Sequence, residues 1–207
     1  AGYCAAKFIL IPHGTALGMF VPDEGARTSV RNELGITPHL PIVGLIGRDD
    51  PQKNHLGFVE AAARVHQSLP QVHFVLAGTG IDPGNYRLMR AIEKAGLFNR
   101  FHLLSRREDI PRLMASLDIL VSSSSFGEAF PNVLGEAMAC AVPCVVTDVG
   151  DSAEIVGDTG RVVAAGDMAG LARHLVELLR LPSEQRQALG ERARERVRER
   201  FEIGHVA

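Results

Sequence analysis

Repeatedly along this chain a short, unbroken apolar run is followed by a stretch with helical spacing, and that alternation limits the fold more than any other feature. PIVGLIG (41–47) ends in glycine and leads into NHLGFVEAAARVHQSL, where Leu56, Val59, Ala62 and Ala63 recur at helical intervals. QVHFVLAG (71–78) precedes NYRLMRAIEKAG, and RFHLLS precedes IPRLMASL. DILVSSS, PCVVTDV and GRVVAA precede PNVLGEAMAC, SAEIV and MAGLARHLVELLR in the same way. Strands that are apolar throughout, rather than at every second residue, are covered on both faces, and the intervening helices supply the cover. Roughly six such units with right-handed crossovers predict an α/β fold: a doubly wound parallel sheet, Rossmann-like. In such sheets ligands sit in the crevice beyond the carboxyl ends of the strands. The loops to inspect are therefore GRDDPQKN, AGTGIDPG, SRRED, SSSSFGEAFPN and TDVGDS.

The sequence divides into a lead-in rich in Gly and Pro (1–38), the alternating body (39–182) and a charged tail (183–207). In the tail, SEQRQALGERARERVRERF has apolar residues only at Leu189, Ala193, Val197 and Phe201. That narrow stripe reads as a helix whose solvated face is laced with Glu–Arg pairs. The alternative is a helix that meets an anionic membrane surface or a neighbouring domain.

Charge and composition remove several classes. A net charge of −2 lacks the basic surplus of a nucleic-acid grip. No apolar run approaches the roughly 20 residues of a membrane span, and the start, AGYCAAKFILIPHG, is too briefly apolar for a secretory leader. Cys4, Cys140 and Cys144 are an odd number without zinc spacing; the latter two, in AMACAVPCVV, read as small core residues of a reduced, cytoplasmic protein. A beginning at alanine and an end at EIGHVA suggest a piece of a longer protein.

Two loops carry the chemistry. In GRDDPQKNH, Arg48 and Lys53 flank an Asp-Asp-Pro turn just past a strand, and Gly47 precedes them. Two cations there suit a diphosphate without a metal, although both also read as surface cations, with Lys53 ahead of an Asn54 helix cap. In FGEAFPNVLGEAMA, Glu128 lies in a loop of small residues, Ser122–Ser125 and Gly127, that would let a ligand approach. Pro131 fits the first turn of a helix whose free N–H groups and positive dipole end suit a phosphate. Glu136, on that helix, would accept hydrogen bonds from ligand hydroxyls; a favourable carboxylate near the dipole is its other reading. Both carboxylates come from one segment, which fits gripping a ligand better than hydrolysing across a glycosidic bond.

Other signals are weaker. Gly78, Gly80 and Gly84 make GxGxxxG, off the dinucleotide spacing and interrupted by Asp82-Pro83, so an ordinary turn is preferred to a nicotinamide site. Arg106 and Arg107 read equally as exposed charges before a helix. The histidines lack paired metal spacing, and His55 reads as a surface residue.

Taken together, these residues resemble the retaining GT-B glycosyltransferases of family 4. ILIPHG is similar to that family's interdomain linker, VGLIGRDDPQKN to its G-R-x-x-x-x-K-N segment, and FGEAFPNVLGEAMACAVPCVVTDVG to its E-x7-E segment with the strand beyond. AEIVGDTGRVV and RVRERF match later landmarks. The resemblance covers nearly the whole chain but only the second of the family's two domains, with His13 in place of the usual linker asparagine and Ala141 in place of a common glycine.

The resemblance implies a donor domain for a UDP-, GDP- or ADP-sugar, without metal or other cofactor. Arg48 and Lys53 would bind the diphosphate and stabilise it as leaving group, and Glu128 would face the sugar; these three are the catalytic candidates. Gly47, Phe130, Pro131, Asn132 and Val133 would line the donor site, with backbone N–H groups on a phosphate. Glu136 would hold the ribose, and Arg107's loop would border the base. The acceptor, a glycan or lipid, would bind a missing first domain, and the longer protein would work in the cytoplasm or at the inner face of the membrane, in polysaccharide assembly. The isolated chain would bind donor and not transfer. A non-catalytic nucleotide-binding module and a GT-B-shaped nucleotide-sugar epimerase are the alternatives.

Overall fold

The computed structural model describes residues 13–206. Residues 1–12 of the expected linker, with Cys4, lie outside the described residues. The strands are β1 (Ile42–Ile46), β2 (His73–Ala77), β3 (Phe101–Leu103), β4 (Ile119–Ser122), β5 (Cys144–Thr147) and β6 (Arg161–Val163). All neighbours run parallel, in the order β3-β2-β1-β4-β5-β6. Every expected strand is present, each trimmed by a residue or more at its ends. The doubly wound, Rossmann-like sheet is thus formed, and β1, β2, β4 and β5 are buried along their length apart from the last residue of β1.

The helices are α1 (Glu24–Glu33), α2 (His55–Ser68), α3 (Tyr86–Lys94), α4 (Ile110–Ala115), α5 (Asn132–Ala139), α6 (Ser152–Val156), α7 (Met168–Arg180), α8 (Ser183–Arg200) and α9 (Ile203–Val206). They divide the core into two layers. One holds α1, α4, α5 and α8 with residues such as Val30, Leu113, Leu134 and Val197; the other holds α2, α3 and α7 with Phe58, Ile92 and Leu175. In α2 the apolar stripe is rotated from the expected one. Phe58, Ala61 and Val65 are fully buried while Leu56 is 37% exposed, because the bulky phenyl packs edge-on against the stacked Phe74 and Phe101 rings of the sheet.

The lead-in does not stand apart from the body. Phe20, Ala26, Val30 and Ile36 join the core. Arg31, its side chain 1% exposed, pairs with Asp118 at 2.8 Å, and the same carboxylate oxygen accepts the N–H of Ile42. One buried carboxylate at the start of β4 thereby anchors both α1 and the amino end of β1.

The charged tail also packs on the domain. Gly190, Ala193 and Val197 of α8 are buried, with Phe201 just beyond, while Leu189 is only partly covered. A Cβ at Gly190 would stand 1.9 Å from the Ala141 carbonyl oxygen, so glycine permits the close approach. Two of its arginines face helix ends, where orphan carbonyls and the negative dipole end favour a cation. Arg194 donates to the Ala139 carbonyl near the end of α5, and Arg196 to the Ile155 carbonyl at 2.8 Å at the end of α6. Beyond α8 the chain returns to the lead-in, Thr15 N–H donating to the Phe201 carbonyl at 2.7 Å. No described helix is long and apolar enough to cross a membrane.

Candidate functional site

The strand order reverses between β1 and β4, and the segments that follow these two strands face each other there. After β1, Asp50 caps a single 3-10 turn, Pro51–Lys53, by accepting the Gln52 N–H at 2.9 Å. Asn54 then takes a left-handed conformation (φ 53°) and caps α2 through the Gly57 N–H. The Asp-Asp-Pro signal is thus a device that turns Lys53 inward. Arg48 leaves the same loop on its outer side, 64% exposed and 3.1 Å from Asp50. Asp49 is held by Asn85 and Arg87 around the start of α3, which braces the loop from behind.

The serines after β4 stitch the loops together and do not line a ligand surface as expected. Ser123 Oγ donates to the Lys53 carbonyl at 2.9 Å, and Ser125 N–H to the Gln52 carbonyl at 2.9 Å. Ser122, Ser123 and Ser124 are buried. Farther back, Gly150 (φ 57°) lies so close that a Cβ would be 2.3 Å from the Glu128 carbonyl oxygen, and Asp151 N–H donates to the Ala129 carbonyl. The TDVGDS loop is therefore the backing plate of the Glu128 loop. Gly78 serves a similar purpose, since a Cβ there would meet the Gly47 carbonyl oxygen at 2.1 Å. Close backbone packing accounts for that glycine without a dinucleotide.

Between these loops and α5 is a cleft of about 490 Å³. Gly47, Lys53, Glu128, Phe130, Pro131, Asn132, Val133 and Glu136 all line it. Lys53 Nζ and Glu128 Oε1 are 2.6 Å apart, their side chains 21% and 7% exposed. Pro131 is the N-cap of α5 rather than its first helical residue, with no side-chain cap bond, so the first N–H groups, of Asn132 and Val133, have no helical acceptor, and both residues line the cleft. Glu136 stands on the second turn. Its carboxylate makes no hydrogen bond or ion pair among the described residues, and burial pushes it above the usual carboxylate range. A desolvated acceptor without a protein donor is suited to ligand hydroxyls.

Two expected residues are elsewhere. Arg48 lies outside the cleft lining, and Arg107 is bound away from it, to Glu33 at 2.5 Å and Asp109 at 2.7 Å. These carboxylates hold the Arg107 guanidinium strongly charged, and Asp109 well below the usual carboxylate range in return. From the same loop it is Glu108, with Ile110 and Pro111, that borders the cleft. Met19 and Phe20 complete the wall and went unrecognised in the sequence. Their arrival depends on the lead-in crossing α5 at Gly135, where a Cβ would stand 2.2 Å from Thr15 Oγ1. His55 is buried, not a surface residue, and burial pulls its imidazole below the usual range.

Residues 26–196 match the family described as glycosyl transferases group 1. The chain belongs to that family. Among group 1 relatives, N-acetyl-alpha-D-glucosaminyl L-malate synthase of Bacillus anthracis is 32% identical over 84% of this chain and 45% of its own length. D-inositol 3-phosphate glycosyltransferase of Mycobacterium sp. (strain KMS) is 34% identical over 91% and 43%. HepE of Anabaena, solved with UDP and glucose, superposes with a TM-score of 0.88 at 27% identity, over 99% of this chain and 56% of HepE. The chain spans about half the length of the relatives it matches, and its fold is that of the Rossmann-like sheet of a GT-B glycosyltransferase.

Proposed function

We propose that this chain is the donor-binding half, C-terminal in the longer protein, of a retaining, metal-independent glycosyltransferase of family 4. It would transfer a hexose or related sugar from a UDP-, GDP- or ADP-sugar to a glycan or lipid. The observation that carries this reading is the convergence in one cleft of Lys53, Glu128, the open amino end of α5 and Glu136, whose carboxylate has no partner among the described residues. A phosphate accepts from the α5 N–H groups, and Lys53, with Arg48 swinging in from the rim, neutralises the diphosphate as it leaves. Ribose hydroxyls donate to Glu136, and Glu128 faces the sugar. The base lies toward Ile110 and Pro111. HepE's complexes with UDP and with UDP-glucose support a nucleotide sugar as ligand.

The acceptor belongs to the part of the protein outside this chain, so the chain alone binds donor without transferring it. We place the enzyme in the cytoplasm, peripheral to the inner membrane face, in the assembly of a polysaccharide or glycolipid. Calorimetric titration with UDP, GDP and ADP and their sugar conjugates, in magnesium and then in EDTA, tests the reading. Saturable binding of one nucleotide, indifferent to metal and weakened in Arg48→Ala, is expected. Failure of all three nucleotides to bind, or dependence on magnesium, would overturn it.

A further inference from the structure

Four serines follow or end β4, and among the described residues only one of their hydroxyls reaches a carboxylate. Ser124 Oγ donates to Glu128 Oε1 at 2.6 Å, and Ser124 is 1% exposed. Its own backbone is fixed by a second buried hydroxyl from the next strand: Thr147 Oγ1 donates to the Ser124 carbonyl at 2.6 Å. Lys53 Nζ approaches the same Oε1, also at 2.6 Å. Both donors therefore converge on one carboxylate oxygen, and Oε2 accepts no hydrogen bond from a described residue.

The two donors differ in permanence. Lys53 has a long, flexible stem and three N–H groups, and a diphosphate in the cleft attracts it. Ser124 has a single rotatable hydroxyl in a buried loop and cannot follow a ligand. We infer that Ser124, backed by Thr147, is the positioning residue of Glu128: it holds the carboxylate by Oε1 when Lys53 turns to the diphosphate, and so presents Oε2 to the donor sugar. This rests on the donor-binding reading. Without Ser124, Glu128 keeps its charge but samples several rotamers, and the sugar loses a fixed acceptor while the nucleotide keeps all of its contacts.

The test compares a nucleoside diphosphate with its glucose conjugate, using whichever of the UDP, GDP and ADP pairs the wild type binds. The quantity read is the ratio of the two dissociation constants, diphosphate over conjugate. Ser124→Ala is expected to lower that ratio about five-fold, with the diphosphate's own affinity held within about two-fold, as befits one hydrogen bond to a charged group. Ser124→Cys, which keeps the shape with a weaker donor, falls between and serves if the alanine variant does not fold. In a Glu128→Gln background the serine substitution has no further effect. A ratio unchanged by either serine variant but lowered by Glu128→Gln overturns this inference alone, as does a serine effect that persists without Glu128. No binding of any pair, or no response to Glu128→Gln, overturns the donor reading itself.

Discussion

Replacing Glu128 by glutamine should tighten the binding of a free nucleoside diphosphate, although Glu128 is a member of the site. The reason lies in the Lys53–Glu128 contact of 2.6 Å. At an effective dielectric of about 20 the gross attraction across such a gap is about 6 kcal/mol. Desolvation of the two groups offsets most of it, leaving the roughly 1.5–3 kcal/mol typical of a charge-assisted hydrogen bond. A diphosphate that recruits Lys53 must compete with that bond and also enters the field of a carboxylate that is 7% exposed. Glutamine keeps the shape and removes both oppositions. Because the ammonium can straddle two acceptors, part of the bond survives in the wild-type complex, so the gain is about 1–2 kcal/mol, or five- to thirty-fold in affinity. Titration calorimetry with UDP, GDP and ADP on the two proteins measures it. In a Lys53→Met background the same substitution removes only the field of the carboxylate, so the part of the tightening that comes from freeing Lys53 should be lost. Unchanged or weaker binding by a folded Glu128→Gln variant would refute the competition between carboxylate and phosphate for Lys53.

The other perturbations probe the supports of the site. Gly150→Ala puts a side chain at φ 57° and 2.3 Å from the Glu128 carbonyl oxygen, so it should cost about 1–3 kcal/mol in denaturant melts and weaken conjugate binding more than diphosphate binding. Glu136→Gln should raise the melting temperature of the free chain at neutral pH and weaken nucleotides while sparing inorganic phosphate. The carboxyl's raised folded value means the native state is favoured when it is protonated, and that advantage is lost as pH climbs through the folded value. His73 behaves oppositely. Burial, with His102 and Arg100 beside it, pulls its imidazole down to about 4 from 6.5, so the unfolded chain takes the proton first. Stability should be full above about pH 6.5 and fall by on the order of 2–3 kcal/mol toward pH 4, with a shallower slope in His73→Gln.

Local signals were legible where the cause is local. An apolar run of four or five residues between helical stretches has one economical fate, and each of the six strands formed where such a run stood. The Asp-Asp-Pro turn and Asn54 cap rest on dihedral preferences and short-range hydrogen bonds, as does the helix start at Pro131. The residue types on the two loops likewise marked where to look: Lys53, Glu128 and Glu136 line one cleft, while Arg48 lies outside its lining. Where the phase of a helix depends on what it meets, the reading slipped. Leu56 looked as eligible for the core as Phe58, and the aromatic cluster decided between them.

Tertiary structure alone decided which side chains meet. Lys53 and Glu128 are 75 residues apart in sequence, and they touch because β1 and β4 are neighbours, an order that no strand announces by its own composition. The same assembly sent Arg107 into an ion-pair network with α1 and brought Met19 to the cleft wall. It also turned the serines from a ligand surface into stitching and laid Arg194 and Arg196 of α8 on helix ends. Hydrophobic periodicity and turn chemistry act over a few residues and are written in the chain. Pair distances, burial and the resulting competition for a proton or a cation arise only once the segments are packed.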